Sequence, residues 1–381
     1  MSHDGALRVV VGGRVAAAPG HGGAAWAVLQ YLLGLRRLGH DVHFVEHLRT
    51  PVPAQHGRPD GVEYCRAVMD RFELAGRWCV VDASGATAGM TRARLAEVCR
   101  RADLLVDLSG AAAAIDEAMG IPRRLYIDID PGFTAAWHAQ GLDVGLDGHT
   151  HHATVGTAVG GPGCVVPTFG LEWILTLPPV VLAEWPDDAP VEREALTTVG
   201  HWRAYGTALL DGAMLGQRVH AMRPLLDLPR RTGERFCVAL DVHPGDGADR
   251  EALHAAGWEL LDPRGVAATP GEFRQFVAAS RAEIGIPKAG YVTARTGWMS
   301  DRSTCYLAAG RPVVMQDTGL PAAVPTGRGL LVFDDLDSAV EAVGALRGDL
   351  ARHARWARQL AEDLFDSRAV LGKLLDAVCT T

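Results

Sequence analysis

The sequence predicts an α/β protein with parallel sheets, and three observations carry that expectation. A β-branched run, Leu7-Arg-Val-Val-Val11, is closed by Gly12-Gly13 and followed by a segment with helical periodicity. A second α/β rhythm begins after residue 197, and a proline-rich stretch separates the two. In the first half, Trp26, Leu29, Leu33 and Leu38 recur at helical spacing from Gly23 to Leu38, and Gly39 is placed to stop the helix. Val42-His-Phe-Val45 then reads as a second strand, and a strand–helix–strand unit implies parallel strands. Leu104–Val106 and Leu125–Ile127 are further buried-type strands, each followed by an aspartate. Between residues 161 and 197 lie Gly161-Pro-Gly163, Pro167, Pro178-Pro179, Pro186 and Pro190, which deny the chain regular hydrogen bonding and mark a connection. Beyond it, Phe236–Leu240, Gly290–Val292 and Pro312–Met315 read as strands. Arg250–Ala256, Glu272–Ser280, Asp301–Ala309, 337–347 and 350–378 read as helices.

Composition narrows the function. The 381 residues are 48% hydrophobic, 22% charged and 6% aromatic, values of ordinary globular proteins rather than disordered or fibrous chains. A net charge of −8 and a pI near 6.0 offer no general basic field for a nucleic-acid backbone, so no nucleic-acid partner is expected. No secretory pattern opens the sequence and no run approaches a membrane span, which predicts a cytoplasmic protein. The seven cysteines show no CxxC spacing, arguing against a disulfide framework or a thiolate metal site. His149, His151 and His152 with Asp147 invite a metal reading, but no further ligand stands out and no metal is expected. Lysine occurs only at 288 and 373, which makes Lys288 conspicuous.

Gly20-His21-Gly22-Gly23-Ala24-Ala25 matches G-x-G-x-x-A, and Glu46 follows the next strand where a dinucleotide fold puts its ribose-binding acid. An FAD- or NAD-dependent oxidoreductase is therefore one alternative. Its weakness is the interval Arg14–Pro19 between strand and loop, since the fingerprint needs its first glycine directly after the strand. The loop otherwise lets a ligand approach backbone N–H groups at a helix start.

The most informative stretch runs from Gly297 to Gly319. Ser300 or Asp301 can cap a short helix, and Ser303 and Thr304 then place hydroxyls in its first turn beside free N–H groups, a seat for a diphosphate. Gly310-Arg311-Pro312-Val313-Val314 leads into a strand that delivers Gln316, Asp317, Thr318 and Gly319 to a sheet edge. This run resembles the carboxyl-domain signature of GT-B glycosyltransferases, and the glycine loop with Leu38–Val42 is similar to that family's opening β-α-β. Thr198-Val-Gly-His-Trp202 resembles the strand and loop that open the donor domain. The resemblance implies two Rossmann-like domains facing across a cleft, with parallel sheets and a final helix that returns to the first domain. It implies an acceptor domain over 1–178, a linker over 179–197, a donor domain over 198–349 and a returning helix over 350–381.

The implied activity is metal-independent transfer of a sugar from a UDP-, GDP- or dTDP-linked donor to a small-molecule, natural-product acceptor. No permanently bound cofactor is implied, and a homodimer is left open. Where many retaining members carry two glutamates, this chain has Gly297 and Cys305. Gly297-Trp298-Met299-Ser300 lies two residues further from the turn than the plant-type inverting motif and lacks its glutamate. Inversion is slightly favoured and the subfamily is unresolved. The donor is expected on Gly200, His201, Lys288, Ser300, Arg302, Ser303, Thr304 and the 316–319 loop, with Arg295 a further cation. His21 is the expected base, suited by an ordinary pKa near 6.5, with Asp107 orienting it and Asp128 and Asp130 as alternatives. Gly22, Gly23, His151 and His152 are expected on the acceptor side, and Trp137, Trp173, Trp202 and Trp298 offer stacking surfaces for an acceptor ring or a nucleobase. A non-catalytic protein of the same fold is the other alternative.

Overall fold

The computed structural model describes residues 5–54, 59–321 and 323–379. In the first half, β1 (Arg8–Gly12), α1 (Gly22–Arg37), β2 (Asp41–Leu48), α2 (Gly61–Arg71), β3 (Trp78–Asp82) and β4 (Thr87–Gly89) lead to α3 (Arg92–Arg100) and β5 (Leu104–Leu108). Then come α4 (Asp116–Met119), β6 (Arg123–Asp128), α5 (Phe133–Ala139), β7 (His151–Thr154) and β8 (Trp173–Leu175). The second half opens with β9 (Arg193–His201), a hairpin of β10 (Ala208–Leu210) and β11 (Ala213–Leu215), α6 (Arg218–Met222), α7 (Leu228–Thr232) and β12 (Phe236–Asp241). It continues through α8 (Gly247–Ala255), β13 (Trp258–Leu261), α9 (Pro270–Ala279), β14 (Ser280–Gly285), α10 (Ala289–Thr293) and α11 (Asp301–Ala308). The chain ends with β15 (Val313–Gln316), β16 (Leu330–Phe333), α12 (Leu336–Gly348), α13 (Leu350–Leu360) and α14 (Ser367–Cys379).

Apart from the antiparallel hairpin β10-β11, the strands form two sheets, ordered β4-β3-β2-β1-β5-β6-β7-β8 and β13-β12-β9-β14-β15-β16. Within these two sheets every pairing is parallel except β3 with β4. Each sheet reverses its strand order once, between β1 and β5 and between β9 and β14. Open α/β sheets bind ligands at such switch points, beyond the carboxyl ends of the strands. The central strands are buried on both faces, as in Val9, Val10 and Val11, each 0% exposed.

Several segments differ from the sequence expectation. Gly290–Val292 is not a strand but lies inside α10, and the sheet position is taken by β14. β14 escapes pattern reading because its buried face includes Glu283, a charged residue that its partner Arg302 neutralises. Residues 193–197 belong to β9, so the second sheet starts inside the expected linker. The closing helix is two: a π-turn at Ala361–Phe365 and an extended Asp366 separate α13 from α14. Val180 holds that break, donating to the Phe365 carbonyl and accepting from the Ser367 N–H. α14 then lies on α1, where a Cβ on Gly34 would stand 2.5 Å from Leu371.

The two halves touch closely. Gly22 donates to the Ala267 carbonyl at 2.8 Å, and a Cβ there would fall 2.1 Å from the Thr269 carbonyl oxygen. That approach explains the glycine. Trp26, buried against Trp185, donates its indole N–H to the Pro270 carbonyl.

Candidate functional site: a cleft between the two sheets

A cleft of about 330 Å³ lies where the two switch points meet, lined from the first half by Gly20, His21, Gly23, Ala24 and Ala27. The second half contributes Gly200, His201 and Asp241 from the strand ends, Arg218, Lys288, Tyr291 and Trp298, and the start of α11 with Ser300, Asp301 and Arg302. The expected residues His21 and His201 meet across it, their ring centroids 4.8 Å apart. His201 Nδ1 lies 3.6 Å from an Asp241 carboxylate oxygen. His21 occupies the capping position of α1 without a side-chain cap bond, so its imidazole is spent elsewhere than on the helix end.

The cations differ in what holds them. Arg302 is paired with Glu283 at 2.6 Å and also donates to the Val199 carbonyl at 2.9 Å. Lys288 lies 3.3 Å from Asp130, bonds Tyr205 and sits over the aromatic faces of Phe133, Tyr205 and Tyr291. Burial lowers its pKa against the pull of Asp130. Arg218 is different: 7% exposed, it donates to the His201 carbonyl at 3.1 Å and to the Ile286 carbonyl, bridging the ends of β9 and β14. Among the described residues no carboxylate stands within ion-pair distance of it. Burial, and next the neighbouring Arg302 charge, push its pKa down to about 9. Burying this charge costs several kcal/mol, of the same order as the return from two carbonyl bonds of about 1.5–3 kcal/mol each; Glu283, the carboxylate acting on it, is already paired with Arg302, so the position favours an arriving anion. Gly200 is needed here because a Cβ would meet the guanidinium at 2.8 Å.

The rest of the proposed diphosphate seat is arranged otherwise than expected. Ser300 caps α11, accepting from the Arg302 N–H at 3.2 Å, and faces the cleft. Ser303 and Thr304 are buried at 1% and 0% exposure, do not line the cleft, and Thr304 donates to the Asp301 carbonyl. They fall on the packed side of the helix. The 316–319 loop also lies off the cleft: Gln316 donates weakly to the Asp334 carbonyl, Asp317 accepts from Gly319 and Leu320 N–H, and Thr318 donates to the Trp298 carbonyl. Gly319 (φ 83°) and Arg295 pack on each other, outside the cleft lining.

Three of the expected carboxylates are spent elsewhere. Asp107, expected beside His21, bonds the Ala112 N–H and His149 Nε2 at 3.2 Å, with both side chains 0% exposed. That pair also accounts for the histidine cluster. His151 and His152 lie on β7 at the sheet's far side, His152 against Trp173 and Tyr126, neither lining the cleft. Among the described residues no three metal-ligating side chains converge. Asp130 holds Lys288, Tyr205 and Tyr291. Asp128 points into a separate small pocket. Glu46, the ribose acid of the oxidoreductase alternative, is 0% exposed and accepts from the Val15, Ala16 and Ala17 N–H groups. It fastens the Arg14–Pro19 interval and leaves no acid for a ribose. Of the four tryptophans, Trp202 is buried, Trp137 and Trp173 lie off the cleft, and Trp298 lines it, stacked on Tyr291 at 4.0 Å.

Asp128 is buried and its pKa is pushed up to about 7, chiefly by burial, against bonds from Thr134 and the Asp130 N–H. A carboxyl raised from 3.8 gives stability that is full below about pH 4 and lost as pH rises through 7. Asp128→Asn keeps an oxygen for both bonds. It should raise the Tm at pH 8.5 and give no gain at pH 4, as thermal unfolding at the two pH values would show.

No family model and no curated protein sequence matches the chain. Solved structures do. The structure of an alpha-glucosyltransferase with UDP and a 13-mer DNA containing an HMU base superposes with a TM-score of 0.60 at 11% identity, covering 98% of this chain and 100% of that one. This chain has the GT-B fold. AviGT4, a glycosyltransferase involved in avilamycin A biosynthesis, matches at TM-score 0.56 and 13% identity over 98% and 97% of the two chains. Anabaena Alr3699/HepE, in complex with UDP and glucose, matches at 0.57 and 10% over 98% and 100%. Among the described residues of this GT-B chain, no helix is long and apolar enough to cross a membrane.

Sequence reasoning missed Arg218 because arginine is common here and no motif surrounds it. Its one signal is indirect: Gly200 at the end of a strand marks a close approach by another group.

Proposed function

We propose that the chain is a nucleotide-sugar-dependent glycosyltransferase that holds the donor diphosphate on Arg218 and the start of α11. The observation that carries this reading is the buried Arg218 at the second switch point, with no carboxylate at ion-pair distance among the described residues, in the cleft that His21 also lines. Lys288, Arg302 and Ser300 add charge and donors around it. In the transfer, His21 takes the acceptor hydroxyl proton, the oxygen attacks the anomeric carbon, and the sugar–phosphate bond breaks with its electrons leaving on the diphosphate. That single displacement inverts the anomeric centre and needs no metal if these cations carry the leaving charge. Gly22 and Gly23 serve contact between the halves, so the acceptor is assigned to the first half beyond them. We read residues 1–178 as the acceptor half and the region from about 193 to 349 as the donor half.

The structural neighbours' UDP complexes favour UDP among the donors. The alpha-glucosyltransferase neighbour is seen bound to DNA in several structures. Here the net charge of −8 and a cleft of about 330 Å³ favour a small-molecule acceptor. A thermal-shift panel of UDP, GDP, dTDP and ADP tests the reading. A ligand at a hundredfold excess over its Kd adds about 2.7 kcal/mol to the folded state. At least one of the four should raise the Tm, and no shift from any of them would overturn the proposal.

A further inference from the structure

Asp128 faces a second pocket, separate from the cleft, at the carboxyl edge of the first sheet. Thr134 and His138 of α5, Thr154 at the end of β7, and apolar Leu146, Val166, Phe169 and Trp173 surround it. Two features single it out. Asp128 Oδ1 accepts both of that residue's bonds, from Thr134 and from the Asp130 N–H, and among the described residues Oδ2 has no partner. Oδ2 is also not among the buried polar atoms shut off from every partner, so it is open to the pocket. The room inside is about 10 Å³, that of one water-sized group.

The second feature is the surface around the mouth. The exposed large hydrophobic side chains among the described residues are Leu142, Val165, Phe169, Leu175, Leu209 and Met214. All fall in the segments that surround this pocket or in the hairpin packed on α5. Phe169 lies at the mouth, 38% exposed, edge-on to His138 at 4.7 Å and in the left-handed region at φ 54°. Leu175 shares a strand face with the lining residue Trp173. Of the exposed side chains, Phe169 itself lines the pocket, so exposed apolar surface adjoins its polar interior.

We propose that this pocket binds an apolar alcohol: its hydroxyl enters and donates to Asp128 Oδ2, while its hydrocarbon body stays outside on Phe169 and Leu175. The narrow interior admits a hydroxyl head and excludes a ring, and the apolar apron supplies the area that a hydroxyl alone lacks. The raised proton affinity of Asp128 comes chiefly from burial and agrees with a carboxyl only one of whose oxygens is hydrogen-bonded. The site stands on its own geometry, apart from the cleft and from the glycosyltransferase reading.

Calorimetric titration of the full-length protein at pH 8.5 with 1-naphthol and with 1-methoxynaphthalene tests the site, because the ether keeps the ring and loses the donor. The wild type should bind 1-naphthol about tenfold more tightly than the ether, one hydrogen bond to a charged acceptor. In Asp128→Asn the ratio should fall to about one, and in Phe169→Ala both compounds should weaken together. Equal binding of the two compounds by the wild type, or an unchanged ratio in Asp128→Asn, would overturn the proposal. So would undiminished binding by Phe169→Ala. A UDP thermal shift on the same samples reads the cleft independently, so the two proposals can fail separately.

Discussion

Arg218→Met should weaken UDP binding by about a hundredfold, the loss of charge-assisted bonds to a diphosphate from a largely buried guanidinium. Methionine keeps the length of the stem but leaves the His201 and Ile286 carbonyls at the ends of β9 and β14 without their donor. Each unsatisfied carbonyl costs about 1–3 kcal/mol, so the variant should also unfold at lower temperature. The two effects separate in a titration below the variant's own transition, where only folded protein is read. Ser303→Ala is the contrast. Its hydroxyl is buried away from the cleft, and UDP affinity should stay within about twofold of wild type. Wild-type UDP affinity in Arg218→Met, with a loss in Ser303→Ala, would put the diphosphate on the helix hydroxyls instead.

His21→Ala should lower kcat by about a hundred- to ten-thousandfold, the range that a positioned general base contributes, while the UDP thermal shift persists. The ring sits at the start of α1 without capping it and faces His201, so its removal leaves the helix end as it was. The measurement is turnover with a UDP-sugar and an accepted alcohol, beside the thermal shift on the same preparation. Full activity in the variant would remove His21 as the base. Loss of the thermal shift together with activity would make it a donor-binding group.

The parts of the fold that could be read in advance are those where burial dictates the residue type. Val9 to Val11 and Phe236 to Leu240 are buried on both faces, and a continuous apolar run is the consequence. α11 was legible for a different reason: a capping serine and a terminating glycine bracket it. β14 was not, because Arg281 and Glu283 interrupt its apolar pattern and their partners, Glu234 and Arg302, are remote in sequence. The same blindness affects the site. Lys288 stood out by rarity, and His21 by its place after the first strand. Asp107 gave no sign that His149, 42 residues on, would hold it in the core. Ser303 and Thr304 were read from their distance to a cap, which fixes the turn of the helix but not which side of that turn faces the cleft. Arg218 is recognisable only once the ends of β9 and β14 are brought together in space.

A crystal structure of the protein with UDP tests the central claim most directly. The diphosphate should lie within hydrogen-bond distance of the Arg218 guanidinium and the Ser300 end of α11, with His21 facing the open side where a sugar would extend. UDP bound outside the cleft, or bound in the cleft with its diphosphate turned away from Arg218, would contradict it.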